Sequence, residues 1–182
     1  MKNPIFFLIL FISSPLLAEH DKPVLLNLIG SAYQRLQDIW TEGSIDLYIS
    51  GYAWHNRFTY TPERLKKYNE AAWGGGMGKG MFTEKGDWNG IFAIAFLDSH
   101  RKLEPAAGYC FLKVAHFGSN LKVGLGYSIL VTSRPDILHG NPFPGILPWA
   151  SIFYKKAALS AAYIPGSLGA GNVLFVISRF TF

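Results

Sequence analysis

Two stretches of the chain carry side chains that could move an acyl group. His55 lies in "YAWHNRF", near the end of an apolar run, and Asp98 and Ser99 follow directly after the apolar "AFL". Acyl transfer needs a base that works near neutrality to deprotonate a hydroxyl, and imidazole supplies one. It also needs donors for the oxyanion that develops. The residue types therefore suggest a joint site, provided that the fold brings positions 55 and 98 together.

Eight β-like runs follow the first forty residues, and they could position this site. They span residues 45–57, 71–83, 88–98, 103–113, 121–134, 145–154, 157–164 and 173–182. Each has about the ten residues that a tilted membrane strand needs. Short polar turns such as "TEKGD" alternate with long loops at 58–70 and 134–144, which is typical of outer-membrane barrels. Open sheet edges cannot exist in hydrocarbon, so the strands must close into a ring.

These features predict an all-β fold, an eight-stranded antiparallel transmembrane β-barrel. A soluble lipocalin-like barrel is the alternative. Aromatic residues near the ends of the runs favour the membrane, because such residues form interfacial girdles. We place Trp40, Tyr52, Trp54, Trp73, Trp88, Trp149 and Tyr154 in this group. In the barrel, His55, Asp98 and Ser99 meet at the rim that carries the long loops and faces out of the cell.

The sequence pattern divides the chain into three parts. Residues 1–18 resemble a secretory signal peptide, with Lys2 before the apolar "IFFLILFI" and "SSPLLA" at the cleavage site. Residues 19–43 form an amphipathic helix region, either packed on a soluble core or lying against a membrane with Trp40 at headgroup level. Its apolar stripe is Leu25, Ile29, Ala32, Leu36 and Ile39. Residues 44–182 form the barrel.

Composition excludes several function classes. Cys110 is the single cysteine, so the exported chain has no internal disulfide. Metal-binding patterns, phosphate loops and basic–aromatic nucleic-acid motifs are missing from the sequence. The formal net charge of +5, one unit of it from Lys2, is compatible with an anionic membrane surface.

The predicted strands contain small residues and prolines at special positions. Ala106, Gly108 and Cys110 share one face, and we expect that face to line an apolar slot inside the barrel. Alternate glycines in "WGGGMGKGM" could widen this slot or relieve bending of a small barrel. Pro148 and Pro165 weaken the seam between the sixth and seventh runs, because proline cannot donate to the ladder. A lipid chain could enter there, although Pro165 could simply begin a turn.

Several motifs together resemble the lipid A palmitoyltransferase family (PagP). They run from about Asp46 to Phe182 in order: "WHNRF", "YNEAAWGGGMG", "EKGDWNGIFAIAFLDS", "EPAAGYC", "LPWASIFY", "YIPG" and "GNVLFVISRFTF". The resemblance implies an eight-stranded outer-membrane barrel with an N-terminal amphipathic α-helix. It also implies transfer of a palmitoyl chain from a glycerophospholipid donor to lipid A in the outer leaflet.

The resemblance also assigns site residues. His55, Asp98 and Ser99 match the family's essential polar residues. We expect His55 to deprotonate the acceptor hydroxyl, Asp98 to orient or charge it, and Ser99 to act as a nucleophile or as a donor to the transition state. Because neighbours on a regular strand point to opposite faces, the strand must end there if Asp98 and Ser99 both act. His100 is outside the match and is expected to be exposed.

Two positions depart from the family pattern. Cys110 replaces the glycine that forms the floor of the acyl pocket, which should shorten the slot by about one or two methylenes at about 0.8 kcal/mol each. Ser50 replaces a proline at one of two lateral openings. Pro148 and Pro165 keep the other opening, the expected donor entrance.

We therefore predict a monomeric outer-membrane acyltransferase without a metal or organic cofactor and without a nucleic-acid partner. The alternatives are a passive barrel, such as an adhesin, and a lipid A deacylase that uses water as the acceptor.

Overall fold

The computed structural model describes residues 22–167 and 171–182. The predicted signal peptide lies outside these residues. The elements are α1 (Lys22–Glu42), β1 (Ser44–His55), α2 (Pro62–Leu65), β2 (Gly74–Phe82), β3 (Trp88–Leu97), β4 (Leu103–Phe117), β5 (Leu121–Thr132), a 3₁₀ turn (Leu138–Gly140), β6 (Phe143–Tyr154), β7 (Ala157–Ile164) and β8 (Val173–Thr181). None of the helices in the described parts is both long enough and apolar enough to cross a bilayer.

The strands close into one antiparallel barrel in chain order, with β8 hydrogen-bonded to β1. The predicted fold class is therefore confirmed. Short turns at 83–87, 118–120 and 155–156 lie with α1 at one end, called here the helix end. The connections 56–73, 98–102 and 133–142 and the described parts of the last connection, 165–167 and 171–172, lie at the other end, called here the loop end. His55 ends β1 there, and Asp98 directly follows β3.

The strand bounds differ from the prediction mainly in β2 and β4. β2 begins at Gly74 rather than at residue 71, which leaves the end of β1 without a β2 partner. β4 continues to Phe117 because its last residues pair with β5 up to the tight turn at Gly118, whose φ is +69°. Glycine adopts that positive φ at little steric cost.

Side chains alternate between the inside and the outside of the barrel. The outer wall exposes large apolar side chains, among them Ile49, Met77, Leu125, Ile129, Ile146, Ile152 and Leu159. Such a wall is typical of barrels that contact lipid. Trp40, Tyr52, Trp73 and Tyr154 are exposed, as expected for an interfacial girdle. Trp88 and Trp149 were wrongly placed in that group, because both are buried inside the barrel.

Two seams of the barrel are unpaired towards the loop end. β6 pairs with β7 only from Trp149 to Tyr154, so the pairing stops next to Pro148. Pro165 begins the loop directly after β7. The β1–β2 pairing stops at Ser50 and Gly74. A register shift between Ser50 and Tyr52 marks a bulge against β8, so this second seam is interrupted without a proline.

The glycines of β2 allow the strands to approach closely. A Cβ atom on Gly74 would lie 2.2 Å from the Ala95 carbonyl oxygen, and one on Gly76 would lie 2.1 Å from that of Ala93. A Cβ on Gly80 would lie 2.6 Å from the Trp88 ring. Of the two interpretations, these contacts favour the close packing of a small curved barrel over the widening of a slot.

Helix α1 contacts the barrel next to β2 and β3. Ile39 is fully buried, whereas Ile29 and Leu36 of the same apolar stripe are more than two-fifths exposed. The Trp40 carbonyl accepts a hydrogen bond from Lys79, whose ammonium also lies 5.6 Å from the Trp40 ring centre. The exposed stripe favours the interfacial interpretation of this helix over packing on a soluble core.

Candidate active site

The loop end of the barrel brings the two predicted stretches together. The Nε2 atom of His55 lies 2.9 Å from the Oγ atom of Ser99, within hydrogen-bonding distance. His55 is 1 % exposed, while Ser99 is half-buried and can be reached from the rim. A buried imidazole that faces an accessible hydroxyl has the geometry of a base paired with a nucleophile.

The carboxylate beside His55 is that of Glu70, which the sequence pattern did not identify. Its Oε1 atom lies 3.3 Å from His55 Nδ1 and accepts a 3.1 Å hydrogen bond from the His55 backbone N–H. Arg57 binds both oxygens of this carboxylate, at 2.5 and 2.7 Å. The Arg57 hydrogen bonds lower the pKa of Glu70 to about 2, against the opposing effect of its partial burial.

The ionised state of Glu70 determines the His55 tautomer. An ionised carboxylate only accepts hydrogen bonds, so Nδ1 must carry the proton when it bonds to Glu70. The lone pair of neutral His55 is then on Nε2 and faces the Ser99 hydroxyl. Serine, histidine and glutamate are thus connected in the order found in serine hydrolase triads.

Aromatic rings of the loop 56–73 hold the imidazole in place. Tyr68 stacks on His55 with 5.0 Å between ring centres and 4° between planes. Tyr60 contacts the same ring edge-on at 5.4 Å, and its hydroxyl bonds to the Gly171 carbonyl. These contacts restrict rotation of His55 and exclude water from one of its faces.

Asp98 holds the turn that carries Ser99. Its Oδ1 atom accepts the backbone N–H groups of His100 at 2.8 Å and Lys102 at 2.7 Å. β3 ends at Leu97, so the side chains of Asp98 and Ser99 do not have to point to opposite faces of a strand. This is the condition that the sequence set for both residues to act at one site. The position beside the imidazole that we expected for Asp98 is held by Glu70 instead.

The second oxygen of Asp98 belongs to a charged cluster. Asp98 Oδ2 lies 3.8 Å from Arg134 and 3.9 Å from Nδ1 of His100, whose side chain is exposed as expected. Arg134 also lies 3.8 Å from Glu104 and binds Asp136 at 2.9 Å. Arg134 therefore links the Asp98 turn to two further carboxylates of the rim.

Ala106, Gly108 and Cys110 share the inner face of β4, below the site. Ala106 and Cys110 are buried in the interior cluster. A Cβ atom on Gly108 would lie 2.3 Å from the Ile129 carbonyl oxygen, so this glycine serves strand packing. Cys110 borders a cavity of about 10 Å³, the space of a single water.

A buried ion pair closes the interior below Cys110. Arg179 lies 3.3 Å from Asp46, and both side chains are almost fully buried. The guanidinium is 4.1 Å from the Trp88 ring centre and 5.1 Å from that of Phe153. Trp88 and Arg179 border the cavity beside Cys110. The apolar part of the interior therefore ends at the charged side chain of Arg179, which forms its floor.

The described residues contain no group of His, Cys, Asp and Glu side chains arranged to hold a metal ion. The polar groups at the rim form instead a relay of hydroxyl, imidazole and carboxylate. A closed barrel with an apolar outer wall and this relay defines a class of barrel enzymes that act on acyl groups.

Comparisons with known proteins identify the family. Residues 35–179 match the family model for the antimicrobial peptide resistance and lipid A acylation protein PagP. The chain belongs to this family, and it is an acyltransferase.

Curated relatives agree with this assignment. A protein of Legionella longbeachae serogroup 1 named lipid A acyltransferase PagP is 61% identical over 159 residues, 86% of this chain and 69% of that protein. One of the same name from Legionella pneumophila is 58% identical, over 86% of this chain and 83% of its own length. One from Bordetella parapertussis is 47% identical, over 97% of this chain and 95% of its own length. The predicted resemblance is confirmed.

Glu70 and Arg57 carry no signal that would have identified them from the sequence as parts of the relay. Glu70 follows His55 by fifteen residues in a long loop, and no spacing rule links an acid to a histidine over such a distance. The available hints were that Arg57 belongs to "WHNRF" and Glu70 to "YNEAAWGGGMG", two of the motifs that carry the family resemblance.

Proposed function

We propose that this protein transfers a palmitoyl-like chain from a glycerophospholipid to lipid A in the outer leaflet of the bacterial outer membrane. The observation that carries the proposal is the 2.9 Å contact between Ser99 and His55 at the rim of a barrel with an apolar wall. The names of the relatives supply lipid A as the acceptor. The barrel closes on itself, which fits a monomer.

Ser99 is the nucleophile in the first half of the reaction. Its Oγ attacks the ester carbonyl carbon of the phospholipid while His55 Nε2 takes the hydroxyl proton. Glu70, held by Arg57, stabilises the imidazolium that forms. The ester bond to the glycerol then breaks, and His55 returns the proton to the departing lysophospholipid oxygen. The acyl chain remains as an ester of Ser99.

The second half reverses these roles. A lipid A hydroxyl takes the place of the departed lysophospholipid and gives its proton to His55. Its oxygen attacks the acyl-serine carbonyl carbon, the bond to Ser99 breaks, and the proton returns to Ser99. Asp98 keeps Ser99 at the required distance through the turn that it bonds. With lipid A as the acyl donor and water as the acceptor, the same relay would be a lipid A deacylase.

The interrupted seams provide routes for the two lipids. The β6–β7 seam, unpaired beyond Pro148, serves as the donor entrance. Exposed apolar residues line the outer wall near it, so a phospholipid chain could pass sideways without entering water. The chain then enters the interior beside Ala106 and Gly108 with its end towards Cys110, and interior side chains must move apart to admit it, because the cavity beside Cys110 is only about 10 Å³. The β1–β2 seam offers a second opening, next to His55.

Mass spectrometry of lipid A from cells that express the protein tests this function. We expect an added acyl mass with the wild type and none with His55→Ala. His139→Asn is the matched control, because His139 is an exposed histidine of the 133–142 connection at the same rim, and asparagine tolerates its positive φ. A lost acyl mass would indicate a deacylase. Unchanged lipid A from a folded barrel would favour the passive alternative.

A further inference from the structure

A second cavity lies outside the barrel, between α1 and the strand wall at the helix end. Its volume is about 520 Å³, and its lining includes Gln34, Arg35, Asp38 and Ile39 of the helix and Met81 and Asn89 of the barrel. Asn89 points outward because its neighbour Trp88 points inward. The cavity is therefore separate from the interior that the acyl chain would occupy.

The cavity contains a buried amide with an unused donor. Asn89 is 0 % exposed, and its Oδ1 atom accepts hydrogen bonds from the Tyr109 hydroxyl and, at 3.4 Å, from Arg35. Within residues 22–167 and 171–182, the Asn89 Nδ2 group has no hydrogen-bond partner. Burying an amide donor without an acceptor is unfavourable, so an acceptor that reaches Nδ2 from the cavity would stabilise this arrangement.

Opposite charges lie on neighbouring parts of the lining. The Arg35 guanidinium has five N–H donors, of which the contact with Asn89 uses one. Asp38, one position before Ile39, is held in place by a 2.8 Å hydrogen bond from Gln34. Arg35 and Asn89 together can bind a phosphodiester, and Asp38 can bind an ammonium group within reach of it.

We propose that this cavity binds the zwitterionic headgroup of a phospholipid, with the phosphate at Arg35 and Asn89 and the ammonium at Asp38. The lipid's chains would lie along apolar side chains of α1 that stay exposed, such as Leu26 and Leu36. This inference rests on the proposed outer-membrane location, in which the helix end lies in the periplasmic, phospholipid leaflet. The bound lipid is a fixed component beside the helix, distinct from the donor inside the barrel.

Native mass spectrometry of the mature protein in detergent tests the site. The probes are phosphatidylethanolamine, phosphatidylglycerol, glycerophosphoethanolamine without chains, and inorganic phosphate. We expect one tightly retained phosphatidylethanolamine per barrel, with affinity lowered about tenfold by Arg35→Gln, as for loss of a charged hydrogen bond. Asp38→Asn should weaken phosphatidylethanolamine but not phosphatidylglycerol. Gln37→Ala is the control, because Gln37 bonds to Tyr33 on the same helix and does not line the cavity.

Three outcomes would overturn the proposal. Equal retention of phosphatidylethanolamine by Arg35→Gln and wild type would place the lipid elsewhere. Equal affinity of the wild type for phosphatidylethanolamine and phosphatidylglycerol would show that Asp38 does not bind the ammonium group. Binding of inorganic phosphate or the chainless headgroup as tightly as the lipid would indicate a site for soluble anions. Lipid A transfer is measured on the same preparation, so Arg35-dependent binding without transfer would contradict the proposed function and leave this site standing.

Discussion

The Oγ atom of Ser99 lies 2.9 Å from Nε2 of His55, although His55 ends β1 and Ser99 follows β3, two strands that are not neighbours in the barrel. β2 separates β1 from β3, but it begins only at Gly74, which pairs with Ser50 and with Phe96. The end of β1 and the end of β3 therefore extend past β2 at the rim. The early end of one strand creates the space in which the relay forms.

Replacing Ser99 tests its role as nucleophile. Ser99→Ala should lower the transfer rate by about 10³-fold or more, because the acyl acceptor of the first step is lost. In the wild type without lipid A, rapid quenching and intact-mass measurement should show an acyl adduct, and peptide mapping should place it on Ser99. Ser133→Ala is the control, since Ser133 is a rim serine bonded to Gly140. Substantial activity in Ser99→Ala, with no adduct in the wild type, would indicate direct attack by the lipid A hydroxyl.

Asp98 offers a test that separates geometry from charge. Asparagine at this position can still accept the two backbone N–H groups of the turn, whereas alanine cannot. We expect Asp98→Asn to retain transfer within about fivefold and Asp98→Ala to lose about 10²-fold, since a misplacement near 1 Å at the reacting group has that effect. Steady-state rates with a defined phospholipid donor measure both. An equal loss in the two variants would show that the negative charge itself is needed.

The pairing of Glu70 with Arg57 predicts an altered pH dependence. The pKa of Glu70 is lowered from 4.5 to about 2, mainly by Arg57. A lowered pKa favours the folded arrangement fully above pH 4.5, and this contribution is lost as the pH falls towards 2. In Arg57→Gln the pKa of Glu70 should return towards 4.5, so the variant should melt at a lower temperature than the wild type at pH 7, and the difference should shrink as the pH falls from 4.5 towards 2. Lys66→Gln, which removes a charge from the same loop, is the control. Thermal melting followed by circular dichroism measures this, and a melting-temperature difference that stays the same from pH 4.5 down to 2 would contradict this role.

The sequence predicted the strands well because alternation and turn residues are local properties. It also placed His55 and Ser99 at one rim, because the first and third strands of an antiparallel barrel run in the same direction and end at the same rim. It missed Glu70, because a long loop carries no periodicity to show where its side chains point. It misplaced Trp88 and Trp149, because either face of a barrel strand accepts an aromatic residue near its end. The seam between β1 and β2 is interrupted at Ser50 even without a proline. This depends on where β2 begins and on the bulge of β1 against β8, and the sequence pattern of β1 indicates neither.

The donor entrance can be tested at Pro148. Pro148→Val supplies the N–H that proline lacks, which allows the β6–β7 pairing to extend towards the loop end. We expect a severalfold lower transfer rate with an unchanged profile of transferred chains, because access is reduced while the interior is kept. Pro105→Val is the matched control, because Pro105 lies in β4, away from both seams. An unchanged rate in Pro148→Val would mean that the donor enters elsewhere, with the β1–β2 seam as the next candidate.

Chain length should depend on Cys110 and end at the charged floor beneath it. Cys110→Gly removes the thiol that borders the small interior cavity, and we expect the preferred chain to lengthen by about one or two methylenes, each worth about 0.8 kcal/mol. Further lengthening is opposed by Trp88 and by Arg179, whose pairing with Asp46 keeps a charge there. Profiling by mass spectrometry with donors of mixed chain length measures the shift. Ser128→Ala is the control, because Ser128 is a buried residue paired with Cys110 on the adjacent strand. If Cys110→Gly and wild type transfer the same chains, Cys110 is not the floor, and Trp88 with Arg179 would set the length.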